Sequence, residues 1–126
     1  MLDTHVLIRW LAESRKLSRD QLRVLRDGVG RGQPLAVSAI TLMEIAVIPG
    51  DRLRSSIGEI LAALEPGRGF HIIHIDLEIA AEVAAMGSSL RDPADRVIVA
   101  TARIHGLRLV TSDRRIIDSK LVPVVE

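Results

Sequence analysis

Four acidic residues stand out by where they fall in the chain. Asp3 follows two apolar residues and opens a helical pattern, and Glu44 interrupts the otherwise apolar stretch Ala39-Ile40-Thr41-Leu42-Met43-Glu44-Ile45-Ala46-Val47. Asp95 lies two residues after Pro93, and Asp113 follows the apolar run that ends at Val110. In a parallel sheet, strand C-termini and the starts of the helices that follow share one edge, where such sheets place ligands. Asp3, Asp95 and Asp113 belong on that edge, and Glu44, within two turns of its helix start, can face the same crevice. Carboxylates gathered without a cation repel one another. The ordinary resolution is a hard cation with oxygen ligands, Mg²⁺ or Mn²⁺. Such an ion polarises a phosphodiester and activates water.

Each acid also has a plainer reading. Asp3 can cap the helix that Thr4 begins, and Glu44 can close a capping box with Thr41. Asp95 suits a first turn behind the N-cap Asp92, and Asp113 can cap a short helix around Ile116. Taken singly these readings are at least as good; four acids on one edge favour a site. Asp20, Asp27, Glu59, Glu78 and Glu82 fall on solvated helix faces or in first turns and need no further account.

The elements that must position these residues alternate between short aliphatic runs and helical patterns. Residues 4–12 read as a helix with Thr4 as N-cap. Ser18-Arg19-Asp20-Gln21 is a capping box, opening a helix that the glycines at 28, 30 and 32 end. Residues 35–37 form a strand, and Ser38 caps a helix through Ile48 that stops at Pro49-Gly50. A helix over 52–65 closes at Pro66-Gly67, a strand covers 71–75, and Asp76 caps a helix to Met86. Asp92-Pro93 opens a helix to His105, followed by strands at 107–110 and 122–125. Strands separated by helices predict an α/β fold, a mostly parallel sheet with helices on both faces. Only residues 1–3 precede the first helix, so the first strand is either very short or begins upstream of Met1.

A chain of 126 residues, 48% hydrophobic, fits one domain over 1–126 and excludes disorder as a reading of the whole. No apolar run approaches the ~18 residues of a membrane span. The absence of cysteine removes disulfides, thiolate metal sites and cysteine nucleophiles, and suits a cytoplasmic protein. An acid at position 3 without a basic leader argues against a signal peptide. A net charge of +1 does not mark a general nucleic-acid binder, although all but Lys16 and Lys120 of the 17 cations are arginine, the better phosphate ligand. Trp10 and Phe70 are the only aromatics, too few for a base-stacking platform. Trp10, Leu11 and the helix over 53–64 are candidates for a partner-binding apolar surface, against the ordinary reading that they fill the core.

Four segments carry a family resemblance: Leu2-Asp3-Thr4-His5-Val6-Leu7-Ile8, Ser38-Ala39-Ile40-Thr41-Leu42-Met43-Glu44-Ile45-Ala46, Asp92-Pro93-Ala94-Asp95-Arg96-Val97-Ile98-Val99-Ala100-Thr101-Ala102 and Leu109-Val110-Thr111-Ser112-Asp113. In this order and spacing the chain resembles the PIN-domain family, and within it the VapC-type ribonuclease toxins of bacterial toxin–antitoxin pairs. Each motif alone is weak; the ordered set is specific. The resemblance implies a three-layer α/β/α fold and an endoribonuclease in which Asp3, Glu44, Asp95 and Asp113 hold one or two Mg²⁺ or Mn²⁺ ions. An activated water then attacks phosphorus in line and leaves a 5′-phosphate and a 3′-hydroxyl. Asp92 is a candidate supporting acid, Thr111 is expected to orient Asp113 or a bound water, and Thr4 stands similarly beside Asp3. Arg9, Arg91, Arg96 and Arg114 are the candidate RNA phosphate contacts. A cognate antitoxin and a homodimer are the implied partners, the antitoxin often placing a basic side chain in the acidic site.

No histidine is needed as a base. His5 alone is near the site, His71 and His74 fall three apart on a strand and so face opposite sides, and His105 ends a helix. Two other readings use the same fold: a non-catalytic RNA-binding or scaffold protein, and a housekeeping RNA-processing nuclease. A haloacid-dehalogenase-like phosphatase fits less well, since His5 stands where a second aspartate is required.

Overall fold

In the computed structural model, which describes residues 1–53 and 55–126, the alternating apolar residues of five short segments sort onto two faces of one parallel sheet. The elements in chain order are α1 (Thr4–Ala12), α2 (Arg19–Gly30), β1 (Leu35–Ser38), α3 (Ala39–Ala46), α4 (Ile57–Ala63), β2 (Phe70–Ile73), α5 (Leu77–Ala85), α6 (Pro93–Ile104), β3 (Leu109–Val110), α7 (Arg114–Ser119) and β4 (Val124–Val125). Short 3₁₀ turns occupy Ser14–Lys16 and Gly50–Arg52.

β1 pairs with β2 in parallel, Leu35 opposite Phe70, and β3 pairs with β4, Leu109 opposite Val124. Between the two ladders lies Leu2, bridged in parallel to Val37 on one side and Val110 on the other. The spatial order is therefore β2, β1, Leu2, β3, β4. The Leu2 amide donates to the Ala36 carbonyl at 2.9 Å and the Asp3 amide to the Val110 carbonyl at 3.0 Å, while the Met1 carbonyl accepts from the Val110 amide at 2.8 Å.

Because neighbouring residues of a strand point to opposite faces, each segment serves two cores. Met1, Ile73 and Leu109 pack with Ile79 of α5, Ile98 of α6 and Ile116 of α7. Leu2, Val37 and Val110 pack on the other face with Leu7 of α1, Leu25 of α2, Ile45 of α3 and Ile60 of α4. The result is the expected three-layer arrangement. No helix among the described residues is long and apolar enough to cross a bilayer. Trp10 and Leu11 pack against the second core, in line with the core-filling alternative.

Several boundaries differ from expectation, each for a local reason. Asp3, not Thr4, occupies the N-cap position of α1, with extended φ −66° and ψ 152°. The helix expected over 52–65 is a 3₁₀ turn followed by the shorter α4, because Ser56 and Glu59 form a capping box that requires a non-helical residue at 56. Arg54, inside that expected helix, lies outside the described residues. α3 stops at Ala46 rather than Ile48, since the residue before Pro49 is disfavoured in the helical region. The strands are also shorter, β2 ending at Ile73 and β3 beginning at Leu109. The caps at Ser18, Ser38, Asp76 and Asp92 form as expected, each side chain accepting from the amide two or three residues on.

Leu2 is 1% exposed and touches strands of both ladders, so the structure predicts a large cost for Leu2→Ala. Urea unfolding should show a loss of about 3 kcal/mol, in the range of buried leucine truncations. A loss below about 1 kcal/mol would mean that this bridge does not hold the two ladders together.

Candidate active site

The acids meet because three chain segments end on the same edge of the sheet. Although Asp3 holds the N-cap position of α1, its carboxylate makes no capping bond. Its Oδ2 instead accepts from Thr111 Oγ1 at 2.7 Å, with both residues buried. Thr111 Oγ1 itself accepts from the Asp113 amide at 3.0 Å, which directs the hydroxyl proton to Asp3. Thr111, expected to orient Asp113 or a bound water, ties the backbone of Asp113 to the side chain of Asp3.

Asp95 and Asp113 stand at two helix starts. Asp92 caps α6, its Oδ1 accepting from the Asp95 amide at 3.0 Å, which fixes Asp95 in the first turn. Asp113 caps α7, its Oδ1 accepting from the Arg115 amide at 2.8 Å. Asp95 is 8% exposed, and its Oδ2 has no hydrogen-bond partner. Burial, with the charges of Asp92, Asp113 and Asp3 against it, pushes Asp95 up to about 7. Burial also raises Asp3, against the Thr111 hydrogen bond that favours its ionised form. Asp113 is lowered by the hydrogen bond from the Arg115 side chain.

Glu44 contacts Thr4, the residue after Asp3. Thr4 Oγ1 donates to Glu44 Oε1 at 2.6 Å and lies 2.9 Å from Thr41 Oγ1. The single Thr4 proton is committed to Glu44, so Thr41 is the donor in the second bond. The Thr41–Glu44 capping box does not form, because Ser38 caps α3 and Thr41 lies inside the helix.

Of the arginines named from sequence, Arg91 is exposed on a cleft of about 320 Å³ that Ser88, Asp92, Asp95 and Arg115 also line. Arg9 lies in the last turn of α1, and Arg114 reaches out to Glu126 at 3.3 Å. Arg96 is committed to backbone: its Nη1 donates to the carbonyls of Gly87 and Leu90 and its Nη2 to those of Val83 and Met86, at 2.6 to 2.8 Å. That guanidinium closes the C-terminal end of α5 and holds the cleft wall against α6. His71 and His74 are both exposed and line a groove with Leu42, Leu64 and Phe70; His71 lies in β2, and His74 follows its end at Ile73.

Two residues of the site escaped the sequence reading. Arg115 Nη2 lies 2.7 Å from Asp113 Oδ2 and 3.5 Å from Asp95 Oδ2. Its only sequence signal was proximity to Asp113, which Arg114 shares. Gln21, 1% exposed, completes the capping box of α2 and also donates Nε2 to the Thr111 carbonyl at 3.2 Å and to Ser112 Oγ at 3.0 Å. Half of that role was legible as the capping box; the other half depends on a contact 90 residues away.

Among the described residues, no three Asp, Glu or His side chains stand close enough to share one ion as they are. The chemistry of the donors nevertheless suits a hard cation: the oxygens are carboxylate, one buried oxygen is unpartnered, and Asp95 and Asp113 already share one positive charge.

The raised Asp95 has a consequence for stability. Between about pH 4 and about pH 7 the folded protein retains a proton on Asp95 that the unfolded chain has released. Stability of the metal-free protein therefore falls as pH rises through that window. Asp95→Asn should flatten this dependence and raise the melting temperature at pH 8 by roughly 2–5 °C. Parallel wild-type and mutant melting curves across the range would refute the electrostatic account of this carboxyl.

The PIN domain family model matches residues 1–120. Ribonuclease VapC22 of Mycobacterium tuberculosis is 36% identical over 118 residues, spanning 92% of this chain and 88% of that protein. A toxin–antitoxin complex from Klebsiella pneumoniae superposes with a TM-score of 0.65 at 27% identity, covering 99% of this chain and 94% of the matched one. VapBC2 from Rickettsia felis, bound to a DNA fragment from its promoter, gives 0.73 at 14% identity over 99% and 96%, a likeness of fold alone. The sheet order, the acids on its edge and the family match over nearly the whole length agree: the chain belongs to the PIN domain family.

Proposed function

We propose that this chain, a single PIN domain over residues 1–126, is a metal-dependent endoribonuclease and the toxin of a toxin–antitoxin pair, acting in the cytoplasm. The observation that carries this reading is the buried, unpartnered Asp95 Oδ2 beside Asp113 and Asp3 on the ligand-binding edge of the sheet. The identity to a named ribonuclease supports the substrate class. The likeness to a toxin–antitoxin complex supports an antitoxin partner. Met43 on α3 and Val47 at its C-cap, both exposed, support a face that a partner or a second copy covers.

Asp3, Asp95 and Asp113 would hold Mg²⁺ or Mn²⁺, with Glu44 brought to them through Thr4. When bound, the ion supplies Lewis acidity to the phosphodiester and lowers the pKa of a water nucleophile. Thr111 keeps the Asp3 carboxylate turned toward the site and the Asp113 backbone in register with it. Asp92 holds the first turn of α6, and so Asp95, in place. Arg91, on the cleft wall, is placed to meet an RNA phosphate.

The test is cleavage of a panel of structured RNAs with Mg²⁺ or Mn²⁺, against EDTA. Asp3→Asn, Asp95→Asn and Asp113→Asn should each lose at least about 100-fold in rate while the protein stays folded by circular dichroism. Equal cutting in EDTA, or by all three variants, would refute the metal-dependent reading. A folded, antitoxin-free protein that cuts no RNA with either metal would favour a non-catalytic RNA-binding role.

A further inference from the structure

Among the described residues, Arg115 is the one cation that touches two of the proposed ligand carboxylates. Its Nε donates to Asp113 Oδ1 at 3.2 Å, its Nη2 lies 2.7 Å from Asp113 Oδ2, and the same Nη2 lies 3.5 Å from Asp95 Oδ2. Asp95 Oδ2 is otherwise unpartnered and more than nine-tenths buried. The guanidinium therefore occupies the space between two carboxylates that would hold a divalent ion. Its side chain is 68% exposed, so packing does not hold it there and ion pairs alone keep it in place. Its backbone is anchored separately, by the amide that donates to Asp113 Oδ1 at 2.8 Å. The side chain can swing without disturbing α7.

The cleft beside Arg115 sets the direction of the swing. Arg115 and Arg91 line the same cleft, as do Asp92 and Asp95. Removed from the carboxylates, a guanidinium on the first turn of α7 stays at the rim of that cleft beside a second arginine. Two forks at one opening suit a phosphodiester, whose paired oxygens match guanidinium geometry.

We propose that Arg115 is a substrate-binding residue that works in two positions. Before the divalent ion arrives it is the counter-cation between Asp95 and Asp113; once the ion takes that place, it binds the RNA phosphate at the cleft rim. This rests on the metal-dependent ribonuclease reading and adds to it a residue with opposite effects on metal and on RNA.

The experiment measures both affinities on wild type, Arg115→Ala and Arg115→Lys. Mn²⁺ is titrated calorimetrically without RNA. Binding of a fluorescein-labelled RNA hairpin is followed by anisotropy in saturating Ca²⁺ across a salt series. Arg115→Ala should bind Mn²⁺ roughly two- to fivefold more tightly, because the competing cation is gone. The same variant should bind the hairpin more weakly, its slope of log affinity on log salt shallower by roughly 0.7–0.9, the signature of one lost phosphate contact. Arg115→Lys, with a charge but no fork, should fall between on both and recover the salt slope. Unchanged or weaker Mn²⁺ binding by Arg115→Ala overturns the proposal, and so does unchanged hairpin affinity with an unchanged slope. Absence of Mn²⁺ binding in both wild type and Arg115→Ala overturns the metal reading itself, a result distinct from equal binding by the two.

Discussion

One residue of backbone joins the two halves of this sheet. Leu2 bridges Val37 and Val110, and its neighbours on either side exchange hydrogen bonds with β3. Strand alternation then leaves no freedom in the next position. With Leu2 turned into the core beneath α1 to α4, Asp3 follows at the C-terminal edge, where α1 begins. A register shift of one residue would send the Leu2 side chain to the other core and carry Asp3 away from Thr111. The position of the first acid is thus a by-product of closing the sheet, secured by burial of an aliphatic side chain rather than by any interaction of the carboxylate.

Around that point the structure manages charge by several devices at once. Two of the acidic motifs open helices, where backbone amides offset part of the negative charge: the Asp95 amide bonds Asp92 and the Arg115 amide bonds Asp113. Thr111 ties the third carboxylate to the same loop, and Gln21 fastens that loop to α2. Arg115 supplies a full positive charge between two of the acids. What remains uncompensated is concentrated on Asp95, whose buried oxygen has no hydrogen-bond partner and meets Arg115 only at 3.5 Å, and whose pKa is pushed up to about 7. Strain left at one atom of an otherwise satisfied network is what a binding site for a hard cation requires, since a fully satisfied cluster would have nothing to gain from one.

The arginines show how a side chain's work depends on what surrounds it. Arg96 follows Asp95 directly, yet it faces away and gathers four carbonyls at the end of α5. In doing so it fixes the loop that walls the cleft, and it acts on the site through backbone rather than through substrate. Arg114 and Arg115 are neighbours of the same type; one meets Glu126 in solvent and the other meets two site acids. Successive residues on a helix point about 100° apart, and that rotation alone separates their roles.

The local features were legible in the sequence because they depend on neighbours. The caps at Ser18, Ser38, Asp76 and Asp92, the α/β alternation and the order of the acidic motifs all follow from side chains acting within a few residues of themselves. So does the suspicion that Asp3, Asp95 and Asp113 share an edge, since parallel strands place their ends together. Local rules gave way where a distant contact decided the outcome. Asp3 in the N-cap position does not cap, because Thr111 offers its carboxylate a buried donor 108 residues away. Glu44 takes its hydrogen bond from Thr4, 40 residues away, while Ser38 rather than Thr41 caps α3. Which carboxylates meet, which arginine answers them and which oxygen is left alone were decided by tertiary structure, since register and burial across the sheet are set by residues that no local window contains.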